Sequence, residues 1–328
     1  MKAIVYEKYG PPDVLQLKEV ATPTPKDNEV LIRVHATTAT LYDCWMRSNT
    51  APPGFGLLMR LATGIRKPKQ PILGTELAGE IEAIGKDVKL FRKGDQVIGY
   101  TGMNLGAYVE YKCLPEDGVL ALKPTNLTYE EAVSIQGALT ALFFLRNGNI
   151  QKGQKVLIFG ASGGVGLFAV QLAKYFGAEV TGVCSTSKLE LVRSLGAAKV
   201  IDYTQEDFTK NGETYDIIFD TVGKSSVSRS KRSLKKKGSY LFTTFGLPKL
   251  VQVLWLSMTS SRKLFFGTLK ERTEDLIFLK GLFETGKIKP VIDKRYPFEK
   301  IAEAHRYVEK GHKKGNVVIA VEHNKKKK

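Results

Sequence analysis

The stretch Phe159-Gly160-Ala161-Ser162-Gly163-Gly164-Val165-Gly166-Leu167 follows directly on the apolar run Val156-Leu157-Ile158. Leu167, Val170, Gln171, Ala173, Lys174 and Phe176 then alternate apolar and polar at helical spacing, and Gly177 stands where a helix C-cap would. Strand, glycine turn and helix are therefore expected in that order. The spacing fits G-x-G-x-x-G with Ala161 in the first glycine's place, so that Gly163 lets backbone approach a pyrophosphate and Gly166 lets the helix pack closely on the strand. Free N–H groups at the helix start would face the anion, with Ser162, Gly163, Gly164 and Val165 as contacts. A glycine pattern alone is also met in tight turns that bind nothing, but a strand before it, a helix after it and a second strand following favour a dinucleotide site.

The 328 residues suffice for two domains, and a hydrophobic content of 43% is that of a chain with packed cores. Cys44, Cys113 and Cys184 lie far apart without CxxC spacing, which argues against a disulfide framework or a cysteine zinc cluster and for a reducing compartment. The opening Lys2-Ala3-Ile4-Val5-Tyr6 passes straight into polar residues, and no apolar run reaches the ~18 residues of a membrane span, so a soluble cytoplasmic protein is expected. The formal charge of +17 favours anionic partners without choosing among a phosphorylated cofactor, nucleic acid and an acidic membrane. Part of the excess is concentrated in Lys224, Arg229, Lys231, Arg232 and Lys235 to Lys237, expected as a basic helix, and in the terminal Lys325 to Lys328. Such runs read either as a solvated face and a frayed tail or as an anion-binding surface.

Residues 1–124 show short strands between turns, notably 30–34, 80–84, 96–100 and 107–111, as in a small β-barrel, whereas 50–70 read as a loop rich in Gly, Pro and basic side chains. Thr128-Tyr129-Glu130-Glu131 is a capping-box helix start. From there strands and helices alternate, the signature of a doubly wound parallel sheet. The expected division is thus a β-rich domain of residues 1–124 and 268–328 and an α/β domain of 125–267. The apolar run Leu250-Val251-Gln252-Val253-Leu254-Trp255-Leu256-Ser257-Met258 has three open readings: a substrate-cleft lining, a subunit contact or a membrane-surface segment.

Several ordered motifs together resemble the medium-chain dehydrogenase/reductase superfamily, and within it the zinc-independent quinone oxidoreductase branch. They are Met1-Lys2-Ala3-Ile4, Gly74-Thr75-Glu76-Leu77-Ala78-Gly79, Lys93-Gly94-Asp95-Gln96-Val97, the glycine turn, Phe219-Asp220-Thr221-Val222-Gly223, and Gly311-His312-Lys313-Lys314-Gly315-Asn316-Val317-Val318. The resemblance covers nearly the whole chain and implies a GroES-like barrel domain, a Rossmann domain, a cleft between them and a homodimer. Zinc relatives carry a cysteine and a histidine where this chain has Thr40 and Thr75, and His35, His305, His312 and His323 show no paired ligand spacing, so no metal is expected.

After the second strand of the α/β domain comes Ser185-Thr186-Ser187-Lys188, with no acid to hold a ribose, and an ammonium beside hydroxyls suits the 2′-phosphate of NADPH. By resemblance, Ser185, Lys188 and Tyr203 contact that end of the cofactor, Thr140 lies near its nicotinamide-side phosphate, and Phe245 and Gly246 form a wall beside the nicotinamide. The same resemblance sets Thr40, Tyr42, Asp43 and Trp45 on the substrate side, with Tyr42 either a proton donor or a pocket wall and Asp43 either functional or a cap. The expected activity is hydride transfer from NADPH to a quinone or an α,β-unsaturated carbonyl. The alternative is an NADPH-binding sensor or scaffold on RNA or membrane with little turnover.

Overall fold

A computed structural model of the chain describes residues 1–51, 53–244, 246, 252, 261–267 and 269–323. Two compact units make it up, one of residues 1–50, 57–136 and 271–328, the other of 51–56 and 137–270.

The chain opens with β1 (Lys2–Val5), antiparallel to β2 (Gln16–Glu19). The ten-residue β3 (Glu29–Thr38) runs into α1 (Leu41–Ser48), and α2 (Gly56–Thr63) follows. β4 (Glu76–Ile84) returns antiparallel along β3, β5 (Gln96–Tyr100) along β4, β6 (Tyr111–Pro115) pairs with β3, and β7 (Leu120–Leu122) with β5. Val30, Ile32 and Val34 alternate into one core with Leu77, Ile81 and Val97, as the period of two demands. The expected strand at 107–111 begins only at Tyr111, since Val109 contributes a single bridge to Ala3.

Thr128 caps α3 (Tyr129–Ala132) with the reciprocal Thr128–Glu131 bonds that its sequence suggested. α3 packs on β3 and β4, which gives it to the first unit although the sequence set the boundary before it. Beyond α4 (Ile135–Asn147) come β8 (Lys155–Phe159), α5 (Gly164–Tyr175), β9 (Glu179–Cys184), α6 (Leu189–Ser194), β10 (Lys199–Asp202) and β11 (Tyr215–Asp220). α7 (Val227–Ser230), β12 (Leu234–Phe242) and β13 (Lys263–Phe266) complete the second unit. Its six strands are all parallel in the order β10-β9-β8-β11-β12-β13, a Rossmann sheet. Val156, Leu157 and Ile158 are all wholly buried, which is why β8 reads as an unbroken apolar run. Last come α8 (Thr273–Glu284), β14 (Ile292–Pro297), α9 (Ile301–Glu309) and β15 (Asn316–Ala320), and β15 joins β3 to close the first sheet as β14-β15-β3-β4-β5-β7.

Two local expectations change. Within 50–70, Leu57-Leu58-Met59-Arg60-Leu61-Ala62 are strong helix formers, and they make α2 where composition suggested a loop. The basic run is not one helix: α7 has four residues, and Lys235 to Lys237 belong to β12. Tyr215 pairs with Leu234 but Ile217 with Ser239, so three extra residues leave the ladder and the lysines bulge into solvent. Lys235 there bonds Asp216, and the Arg262 guanidinium ties down the carbonyls of Lys231 and Leu234. The apolar run 250–258, apart from Gln252, and the terminal lysines lie outside the described residues.

Candidate functional site

On the second unit, β8 drives into the turn and α5 starts at Gly164 with Gly163 as N-cap and, among the described residues, no side-chain cap bond. Uncapped helix starts of this kind are where anions bind in other proteins. The two glycines differ in what demands them. A Cβ on Gly166 would sit 2.1 Å from the Gly160 carbonyl oxygen and 2.8 Å from the Ala161 Cα, so the close crossing of helix and strand excludes any side chain. A Cβ on Gly163 would meet only the Gly160 oxygen at 3.4 Å, and its φ of −83° suits any residue. Among the described residues, packing does not demand glycine at this position. Gly163, Gly164 and Val165 are half-buried and Ser162 is buried.

Ser185 and Lys188 lie at the end of β9, and Tyr203, 57% exposed, directly after β10 with its N–H donating to the Cys184 carbonyl at 3.1 Å. Because β8, β9 and β10 are adjacent and parallel, the turn and these residues share the sheet's carboxyl edge, the usual place for a nucleotide. A nearby carboxylate is Asp202, but it accepts from the Thr186 hydroxyl at 2.5 Å and from the Thr204 N–H and hydroxyl at 2.9 and 2.8 Å. The Thr186 bond, first among these, holds Asp202 below the usual carboxylate range. Thr140 is half-buried on α4, Gly246 is half-buried beside Pro53, and Phe245 is outside the described residues.

On the first unit, Thr40 is the N-cap of α1. Its hydroxyl accepts from the Asp43 N–H at 3.2 Å, while its own N–H donates to Asp43 Oδ2 at 2.9 Å. Asp43 Oδ1 accepts from the Gly74 N–H at 3.0 Å. Desolvation raises this fully buried carboxyl, and bonds from Thr40 and Gly74 oppose the rise, so Asp43 is placed as a clamp that orients the helix. Tyr42 and Trp45 are half-buried on the same helix. Among the described residues the Tyr42 hydroxyl bonds a thioether, Met103 Sδ at 3.0 Å, and burial followed by the charge of Asp43 pushes its pKa up to about 12.

Sequence reading passed over the polar chain beneath α1. Glu76, 2% exposed, accepts from the Thr38 hydroxyl and from the Gln136 N–H at 2.5 Å, and burial pushes it up to about 7. The Tyr108 hydroxyl donates to the Thr38 carbonyl at 3.1 Å and lies 3.1 Å from His305 Nε2, whose ring continues to Cys44 Sγ 3.5 Å from Nδ1. Desolvation takes His305 down to about 3, a neutral ring at any physiological pH. Half-buried Lys313 is lowered by desolvation and raised by Cys44, Glu76, Asp293 and Asp43. Single Glu, Tyr, His and Lys residues scattered over more than 200 positions carry no periodic signal, and only the Gly-Thr-Glu motif hinted at one of them.

The alcohol dehydrogenase GroES-like domain model matches residues 26–124, and the zinc-binding dehydrogenase model residues 195–319. The donor set does not fit the metal that the second description names. Thr40 is engaged with Asp43, the Thr75 hydroxyl is buried with no partner, and no group of three or more His, Cys, Asp or Glu among the described residues could hold a metal ion. The chain is 34% identical over 332 residues to 2-methylene-furan-3-one reductase of Solanum lycopersicum, covering 97% of this chain and 79% of that protein. It is 32% identical, with the same coverage, to the chloroplastic NADPH-dependent alkenal/one oxidoreductase of Arabidopsis thaliana. The quinone oxidoreductase structure from Coxiella burnetii matches it with a TM-score of 0.88 at 30% identity, over 98% of this chain and 99% of that one. With both domain models in order and relatives aligned along almost its full length, the chain belongs to the medium-chain dehydrogenase/reductase superfamily, in the branch of the quinone and alkenal/one oxidoreductases.

Proposed function

We propose that the protein is an NADPH-dependent reductase of quinones and α,β-unsaturated carbonyl compounds that works without a metal. The observation that carries this reading is the uncapped start of α5, where a Cβ on Gly163 would meet only the Gly160 oxygen, at 3.4 Å, among the described residues. The relatives' names, an NADPH-dependent alkenal/one oxidoreductase and a quinone oxidoreductase, point the same way.

When bound, NADPH supplies a hydride to a carbon already made electrophilic by conjugation. The residues of this chain bind and orient. The N–H groups of Gly163 to Val165 receive the pyrophosphate, and Ser185 and Lys188 receive the 2′-phosphate, with Tyr203 beside them. By resemblance, Thr140 would lie near the nicotinamide-side phosphate, and Gly246 with Phe245 would form the wall beside the nicotinamide. On α1 the Thr40–Asp43 clamp fixes Tyr42 and Trp45 as the acceptor wall. Tyr42 keeps its proton at neutral pH and donates a hydrogen bond to the acceptor oxygen as negative charge develops there. A proton from solvent completes the two-electron reduction.

NADPH loss at 340 nm, read across a panel of quinones, enones, alkenals and saturated alcohols, tests the reading. Turnover with quinones or enones is expected; turnover confined to alcohols, or none, refutes it. Lys188→Ala should weaken NADPH binding by about tenfold or more and leave NADH binding nearly unchanged. A homodimer is part of the proposal, supported by resemblance, and sedimentation velocity checks it. Cytoplasmic residence is also proposed, supported by the three free cysteines, two of them buried. No helix among the described residues is long and apolar enough to cross a membrane.

A further inference from the structure

The helix α2 is turned inside out. Leu57, Leu58 and Leu61 are 73, 62 and 52% exposed, and Ile65 just beyond the helix is 66% exposed. Its more polar side is the fastened one: Met59 packs on the core, and the Tyr9 hydroxyl contacts Thr63 Oγ1 at 3.2 Å and donates to the Gly64 carbonyl at 2.9 Å. A helix shaped by burial alone would show the reverse arrangement. The fastening on one side holds the four aliphatic side chains together as one outward patch.

The charges of this segment itself are of one sign. Arg60, Arg66, Lys67 and Lys69 are exposed, and no Asp or Glu occurs in the sequence between Asp43 and Glu76. Lys69 bonds the Leu61 carbonyl at 2.8 Å, while Arg60, Arg66 and Lys67 have no acidic partner among the described residues. Apolar side chains ringed by free cations are the chemistry of an interfacial segment on anionic lipid. A second copy packed face to face would bring like charges together. Nucleic acid would leave the leucines without a partner.

We propose that α2 and the following turn through Lys69 form a docking surface for acidic phospholipid membranes, with Leu57, Leu58, Leu61 and Ile65 entering the headgroup–acyl boundary and the cations meeting lipid phosphates and carboxylates. The proposal is independent of the reductase reading, because vesicle binding is measured without cofactor or acceptor.

The experiment is cosedimentation of the full chain with phosphatidylcholine vesicles, with and without phosphatidylserine, at low and physiological salt. Binding is expected only with phosphatidylserine and should weaken as salt rises. Leu57→Ser combined with Leu61→Ser should lower it by about tenfold or more. Arg60→Glu with Lys67→Glu should remove the preference for acidic lipid. These side chains are exposed, so the melting temperature should hold, and it is measured alongside. Wild-type protein that fails to bind phosphatidylserine vesicles at low salt overturns the proposal. So do variants that bind like wild type while loss of Lys325 to Lys328 abolishes binding, and so does a shift from dimer to monomer in the leucine variant, which would give the face to a second copy.

Discussion

Replacing Glu76 by Gln should make the protein more stable at pH 8 while changing little near pH 4.5. The wild-type carboxyl is 2% exposed and its pKa is pushed from 4.5 to about 7, with desolvation the leading cause. Between those two values the folded protein keeps a proton that the unfolded chain has released. Stability from this group is therefore full below pH 4.5 and falls as pH rises towards 7. At 1.36 kcal/mol per pH unit the interval amounts to at most about 3 kcal/mol. Glutamine has the same shape and never ionises. Its carbonyl can accept from the Gln136 N–H, and its amide can donate to a Thr38 hydroxyl turned to accept. Urea unfolding of both proteins from pH 4.5 to 8.5 should show a difference near zero at the acid end, growing to about 2–3 kcal/mol in favour of the variant above pH 7. A difference that does not change with pH, or a variant less stable at pH 8, would refute the claim that burial of this carboxyl governs it.

The glycine pair separates folding from binding: Gly166→Ala should destabilise the second unit by about 2–4 kcal/mol through its clash with the Gly160 oxygen. Gly163→Ala should leave the melting temperature almost unchanged yet weaken NADPH binding severalfold, and equal binding in titration calorimetry would remove Gly163 from the site. Tyr42→Phe should lower turnover by about tenfold to a hundredfold with little change in NADPH affinity if its hydroxyl serves the acceptor oxygen; unchanged turnover reduces Tyr42 to a wall. Arg47, 1% exposed, is paired with Glu309, and its Nε and Nη1 have no partner among the described residues, so Glu309→Gln should cost about 2–4 kcal/mol while Arg47→Met is tolerated far better, as thermal unfolding can show.

The pattern of apolar residues around Phe159 to Leu167, the capping box at Thr128 and the missing acid after β9 were legible in the chain because each is a local effect: steric room, a bond across three residues, a charge at the end of a strand. The same locality made β8 and the C-terminal end of α5, before Gly177, readable near their true limits. Tertiary structure alone decided that Asp43 is a buried clamp bonded to Gly74, that Glu76 lies under Thr38 and Gln136, and that His305 stands between Tyr108 and Cys44. Those partners are 31, 60 and up to 261 residues apart, and their pKa values are set by desolvation, which exists only once the sheet has closed over them. The outward leucines of α2 belong to the same class, since a helical period fixes which residues share a face and only packing decides which face meets the core.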